Sequence, residues 1–413
     1  MNYYTASTHL HQDPTQQWLD RRSSYPRRLS RVASLVEQLD ILKSRMNIAV
    51  IYGGDKQHPG SVINQIPNIR SWKSYQNVAE DIASTLTRLG FKSVHVIADD
   101  MHIGDELQSR DIHFVWLNTG GVQGYNPMAH TVSMLEMFGL PYVGHDPMAT
   151  TILDNKHAFK LEVAALGLKT SPFITWHLAR GEFDPAKSKS YKRVFQGYDG
   201  PFIVKPISGR ASLHVHLVDK PSDLSQMISE VFHATQNHVL IEKYLPGREF
   251  CVAVGGLVRA KKKSLEIGES PLIISPTERV LGKDEAIFTS MDIKPISTDR
   301  IVLMPSDVTE CDITRKLADI ASTVFDELNL ESLVRLDMRM DEDGEINILE
   351  ANPKPDLKQP GGGKTSLVCA GLADIGMDYD DLILSLIADR IDLLFCQKRG
   401  AIHNILDLLE QKN

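Results

Sequence analysis

From Asn47 to Val143 short apolar runs with strand character alternate with segments of helical period, and this alternation confines that part of the chain to a parallel sheet covered by helices. Ile48 to Tyr52 reads as a buried strand closed by Gly53 and Gly54. Ser74 to Leu89 sets Val78, Ile82 and Leu86 on one helical face and stops at Gly90. Val94 to Ala98 and Ile112 to Leu117 read as strands, and a helix from His130 to Phe138 leads to a strand around Tyr142. Ligands of such sheets bind beyond the carboxyl ends of the strands.

Ahead of this region, residues 1–46 form an appended arm with a basic run (Arg21, Arg22, Arg27, Arg28, Arg31). Its Val32, Leu35, Val36, Leu39 and Leu42 fall at helical spacing, as in a helix packed on its own or a partner subunit. After residue 146 a helix is expected from Asn155 to Leu166, with strands from Pro201 to Lys205 and Val239 to Glu242. A hairpin is expected from Leu333 to Glu350, and a helical tail after Tyr379. Gly181 to Lys192 and much of Ala260 to Glu285 are polar enough to read as loops. The expected organisation is an arm (1–46), a first domain (47–145), a central region (146–239) and a last region (240–413).

Composition excludes several classes. With 45 Lys and Arg against 53 Asp and Glu, the net charge of -8 argues against nucleic acid as a partner. Four widely spaced cysteines with no CxxC pair fit a reducing compartment and no zinc site. No apolar stretch is long enough to span a bilayer and no targeting signal is evident, so a cytoplasmic protein without membrane contact is expected.

The most informative segment is Val334-Arg335-Leu336-Asp337-Met338-Arg339, followed by a turn at Asp341 to Gly344 and then Ile346 to Asn352. A four-residue turn would set Met340 opposite Glu345, Asp337 opposite Ile348 and Arg335 opposite Glu350. Asp337, Glu350 and Asn352 then project together, two carboxylates and an amide oxygen. Such hard oxygen donors suit magnesium, with manganese as an alternative. Arg335 adds a fixed positive charge beside them. The competing reading of this stretch is an acidic, solvated hairpin.

Singly, Lys156 at a helix start, Lys205 at a strand end and the run Glu242 to Phe250 are unremarkable. In this order, Asp154-Asn155-Lys156, Ile203-Val204-Lys205-Pro206, Glu242-Lys243-Tyr244-Leu245-Pro246-Gly247-Arg248-Glu249, Arg335-Leu336-Asp337 and Glu350-Ala351-Asn352 resemble the ATP-grasp superfamily. The nearest likeness is to the D-alanine-D-alanine ligase family, over roughly residues 47 to 395. The resemblance implies an α/β ATP-grasp fold with a Rossmann-like N-terminal parallel sheet, a central α+β lid and a C-terminal α+β domain with an antiparallel sheet. It implies that Lys156 and Lys205 meet ATP phosphates, that Glu242, Lys243, Tyr244 and Leu245 form the adenine hinge, and that Glu249 holds the ribose. Asp337, Glu350 and Asn352 match the magnesium ligands, and Arg335 the arginine that stabilises the oxyanion when an amine displaces phosphate from an acylphosphate.

Three departures bear on substrate. His58 stands where the family has an ammonium-binding glutamate, so recognition of D-alanine is not expected to follow the family pattern. In the phosphate cover, Ser212 matches the family serine while Arg210 and His214 replace glycines; Arg210 reads either as an added phosphate clamp or as a surface residue. After Asn352 a long basic, glycine-rich insertion precedes Ser366, which resembles the family's carboxylate-binding serine. Lys364 within the insertion, and Asn118 in Asn118-Thr119-Gly120-Gly121, are further candidates for substrate contact. The expected activity is ATP-dependent joining of a small carboxylate to an amine, ADP-forming, by a homodimer as is usual among similar ligases. The alternatives are an inactive ATP-binding regulator, or a ligase acting on a specialised metabolite or a protein tail.

Overall fold

The computed structural model describes residues 25–54, 59–63, 73–124, 126–209, 212–283, 285–287, 300–305, 311–361, 366–397 and 400–410. His58, Arg210 and Lys364 lie outside these described residues.

The expected parallel sheet is present, with strand order β2-β1-β3-β4, from β1 (Asn47–Gly53), β2 (Ser93–Asp99), β3 (Phe114–Asn118) and β4 (Tyr142–Val143). Ile48, Ala49, Val50 and Ile51 are all fully buried because both faces of β1 are covered. One face takes Ile103 and Leu107 of α3 (Ile103–Ser109) and Val132 and Leu135 of α4 (Pro127–Phe138). The other takes Val78, Ile82 and Leu86 of α2 (Lys73–Arg88). The arm's helix α1 (Tyr25–Arg45) puts Leu35, Leu39 and Leu42 into this same core, and Arg31 pairs with Asp392. The arm thus packs on its own chain.

Next along the chain come α5 (Pro147–Asp154) and α6 (Lys156–Ala165), then a second, antiparallel sheet with order β5-β8-β6-β7. It comprises β5 (Phe173–Trp176), β6 (Phe202–Pro206), β7 (His216–Val218) and β8 (Val239–Lys243), with α7 (Lys189–Val194) and α8 (Leu224–Thr235) alongside. Alternation decides which side chains reach the cleft: Phe202, Val204, Val239 and Ile241 enter the sheet's own core, so Ile203, Lys205 and Glu242 turn to the opposite side. The stretch expected as loop from Gly181 to Lys192 runs into α7, whose start Ser188 caps by accepting from Tyr191 N.

The third sheet, order β13-β12-β9-β14-β15, is formed by β9 (Glu249–Gly255), β12 (Leu272–Arg279), β13 (Ile301–Leu303), β14 (Val334–Met340) and β15 (Ile346–Asn352). Phe250, Val252, Leu336 and Met338 pack against α5, α6 and α9 (Asp312–Glu327), which leaves Glu249, Arg335, Asp337 and Arg339 on the side of the cleft. Here the loop expected from Ala260 to Glu285 is corrected. It contains a hairpin of β10 (Val258–Lys261) and β11 (Ser264–Ile267), and all of β12. Strand β12 is polar at its end because Arg279 faces buried acids instead of solvent. At the hairpin turn the N–H groups of Lys262 and Lys263 are held by Asp381 of α10 (Tyr379–Gln397), and α11 (His403–Glu410) closes the chain.

Candidate active site

The cleft lies between the second and third sheets. One side of it begins at α6, where the Asn155 side chain accepts from His157 N and Ala158 N, starting the helix at Lys156. Lys156 Nζ lies 3.3 Å from Glu350 Oε2 and donates to Gly209 O at 3.3 Å. Lys205 Nζ sits 2.6 Å from Glu242 Oε2, and Lys160, one helical turn past Lys156, lies 2.8 Å from Glu242 Oε1. Burial alone would raise the Glu242 carboxyl, but Lys160 and Lys205 outweigh it and hold the group below the usual carboxylate range. Ser212 lines the cleft with Gly209 and Leu213. Ser212 and His214 adopt left-handed backbone (φ 53 and 57), a conformation that costs a side-chain-bearing residue about 1 kcal/mol.

At the hinge, Leu245 and Tyr244 line the cleft, whereas the Lys243 ammonium turns to Glu342 and lies 5.3 Å over the Tyr198 ring. Glu249 is gripped by Arg279 at 2.7 Å and Arg339 at 3.3 Å; Arg339 also donates to Tyr244 Oη and covers its ring at 4.9 Å.

The hairpin has a different register from the one expected. Asp341 accepts from the N–H groups of Asp343 and Glu345 and from Asn347 Nδ2, with Gly344 at φ 79, so the connection has five residues and Met340 faces Ile346. A bulge at Leu349 adds a second offset: Ile348 N donates to Lys169 O, and Ile348 O accepts from Thr170 Oγ1. Asp337 therefore faces Glu350, not Ile348, and Arg335 faces Asn352, not Glu350. Arg335 Nε donates to Asp337 Oδ1 at 2.8 Å and Nη2 to Oδ2 at 3.1 Å, while Arg279 lies 3.3 Å from Oδ2. Burial would raise the Asp337 carboxyl, and Arg279 and Arg335 bring it below its ordinary value. Asp337, Glu350 and Asn352 together line the cleft as oxygen donors, a set that fits magnesium completed by water and phosphate. Among the described residues no group of three or more His, Cys, Asp or Glu forms a metal cluster of another kind.

Comparison with known proteins agrees with this geometry. Residues 163–388 match the family model for the D-ala D-ala ligase C-terminus. The chain belongs to this family. A curated relative, the uncharacterised protein y4sG of Sinorhizobium fredii, is 27% identical over 241 residues, 57% of this chain; the match spans 64% of the relative's own length. Among solved structures, the D-alanine–D-alanine ligase of Bacillus anthracis complexed with ATP superposes with a TM-score of 0.61 at 17% identity, covering 86% of this chain and 99% of that one. VanG D-Ala:D-Ser ligase of Enterococcus faecalis gives 0.58 at 16%, covering 84% and 99%. These structures share the ATP-grasp fold with this chain.

For this member of the D-alanine ligase family, the cleft unites Lys156, Lys205, Ser212, Glu242, Lys243, Tyr244, Leu245, Glu249, Arg335, Asp337, Glu350 and Asn352. Asn118 and Ser366 are not among the residues that line it. Asn118 is buried and donates to Tyr75 O at 2.8 Å, while Ser366 Oγ accepts from Cys369 N. Sequence reasoning missed Lys160, Arg279, Arg339 and Tyr75, whereas Lys354, which lines the cleft, belongs to the basic insertion singled out after Asn352. Lys160 was signalled by its four-residue spacing from Lys156, and Arg339 by its alternation with Arg335 and Asp337. Arg279 sits in the stretch read as loop. Tyr75 and Lys354 meet across elements distant in sequence, with the Lys354 ammonium 3.4 Å from the Tyr75 ring centroid.

Proposed function

We propose that the protein is an ADP-forming ligase that uses ATP to join a small carboxylate to an amine. The observation that carries this reading is the convergence on one cleft of Lys156 and Lys205, a paired-carboxylate hairpin and Arg335, in a chain of the D-alanine ligase family. Lys156 and Lys205 would meet the phosphates, Leu245 and Tyr244 would flank the base, and Glu249 would accept from the ribose. Asp337, Glu350 and Asn352 would hold magnesium, which when bound neutralises phosphate charge. Arg335, fixed by two hydrogen bonds to Asp337, would stabilise the oxyanion that develops as the amine attacks. An arginine so held also speaks against an inactive ATP-binding regulator, because nucleotide binding alone does not require it.

The three-domain division at residues 47–145, 146–239 and 240–413 and a homodimeric state belong to the same proposal. So does a substrate pair other than two D-alanines, since His58 replaces the family's glutamate. The test is ADP release from the full chain over pairs of amino acids, with mass detection of products. ADP formation that requires magnesium, a carboxylate and an amine together is expected, with D-alanine alone a poor substrate. ADP formation that ignores both organic substrates would overturn the reading.

A further inference from the structure

Lys160 is fully buried and does not line the cleft, yet its ammonium lies 2.8 Å from Glu242 Oε1, on the far side of the carboxylate from Lys205 at Oε2. Burying a lysine is costly, and a buried ion pair contributes little net stability compared with a well-packed apolar side chain of similar volume. A stabilising role does not explain the choice of residue. Charge does. Lys156 answers Glu350, and the remaining group sets the ammonium groups of Lys160 and Lys205 against the single carboxylate of Glu242; burial lowers the Lys160 ammonium from its ordinary value, and Glu242 opposes that. Without the charge on Lys160, Glu242 and Lys205 would form a closed pair of zero net charge, and Lys205 would present a neutralised ammonium to the cleft. Lys160 also donates to Thr170 Oγ1, which donates to Ile348 O beside the bulge that sets Glu350 opposite Asp337.

We propose that Lys160 is a positioning residue for ATP: from behind the cleft it neutralises Glu242, so that Lys205, oriented by the same carboxylate, keeps its positive charge for the phosphates. This rests on the ligase reading above. The test is calorimetric titration of the full chain with ATP and magnesium, and separately with adenosine, which carries no phosphate. Lys160→Met is expected to weaken ATP binding roughly tenfold or more while leaving adenosine binding within about threefold of the unsubstituted chain. Adding Glu242→Gln restores the group's net charge and keeps an acceptor at that position, and should return ATP affinity to within about threefold.

Equal ATP affinity of the Lys160→Met and unsubstituted chains would overturn the proposal alone. So would parallel loss of ATP and adenosine binding, or failure of the second substitution to rescue. Should Lys160→Met not fold, the double variant carries the test by itself, and a loss of ATP affinity beyond tenfold there would overturn the proposal. Failure of the unsubstituted chain to bind ATP would overturn the ligase reading, and this one with it.

Discussion

Glu350 and Arg279 are both charged residues of the cleft, but their environments assign them different consequences on substitution. The Glu350 side chain is 27% exposed, and its Gln variant keeps an amide oxygen to accept from the buried Lys156 ammonium. Glu350→Gln should lower ADP formation by at least about a hundredfold with the melting temperature nearly unchanged, since it removes ligand charge from the proposed magnesium site. Turnover close to normal at saturating magnesium would retire Glu350 as a ligand. Arg279 instead bridges Glu249 and Asp337, both almost fully buried, and Arg279→Met should cost about 3 kcal/mol of stability, read by denaturant unfolding. An unfolding free energy within about 1 kcal/mol of the unsubstituted chain would show that Arg335 and Arg339 suffice. Of these two residues only Glu350 was legible in the sequence. It belongs to a short motif with a fixed step from Asp337, whereas Arg279 gains meaning from strands that meet it only after folding.

At the level of elements, the hairpin shows how a register other than the expected one can still bring the same side chains together. The capped five-residue turn and the bulge at Leu349 each displace β15 by one residue: Ile346 and Ile348, displaced once, turn into the core, while Glu350 and Asn352, displaced twice, return to the expected face. Asp337, Glu350 and Asn352 therefore project together, as alternation alone implied. The polar stretch around β10–β12 failed for the opposite reason: its polar residues are satisfied inside the protein, by Asp381 and by the acids of the cleft, and not by water. The insertion after Asn352 divides in two. Up to Pro360 it is moored, with Leu357 buried, its carbonyl accepting from Tyr379 Oη at 2.8 Å, and Gln359 N donating to Asp81. Residues 362–365 lie outside the described residues, and a covering role for the glycines from Gly361 to Gly363 is an expectation from sequence alone. Deleting Gly361 to Gly363 should raise ATP hydrolysis relative to ligation, because an acylphosphate must be kept from water. An unchanged amide yield per ATP in that deletion would dismiss a covering role.

At the scale of the whole molecule, one contact between the first and third sheets carries a titratable group. His145 follows β4, where the chain leaves the parallel sheet, and its Nε2 meets Leu333 O at 3.2 Å, at the threshold of β14 in the third sheet. For Nε2 to donate, the ring must carry its proton there, and the buried Nδ1 has no hydrogen-bond partner among the described residues. Burial, acting against a second proton and aided by the Arg390 cation, outweighs the Leu333 carbonyl, Glu331 and Asp146 and lowers the group from 6.5 to about 4. Above the unfolded value both states are neutral. As pH falls from about 6.5 to about 4 the unfolded chain takes up a proton that the folded chain refuses, so stability drops, by up to about 3 kcal/mol from this group. His145→Gln keeps a donor for Leu333 O and removes the titration. Denaturant unfolding at a series of pH values should therefore give a shallower decline for His145→Gln than for the unsubstituted chain between pH 6.5 and 4, with the two curves parallel above pH 7. Parallel curves through the acid range as well would mean that the loss of stability comes from the protonation of carboxylates, and that the contact between the sheets does not sense pH.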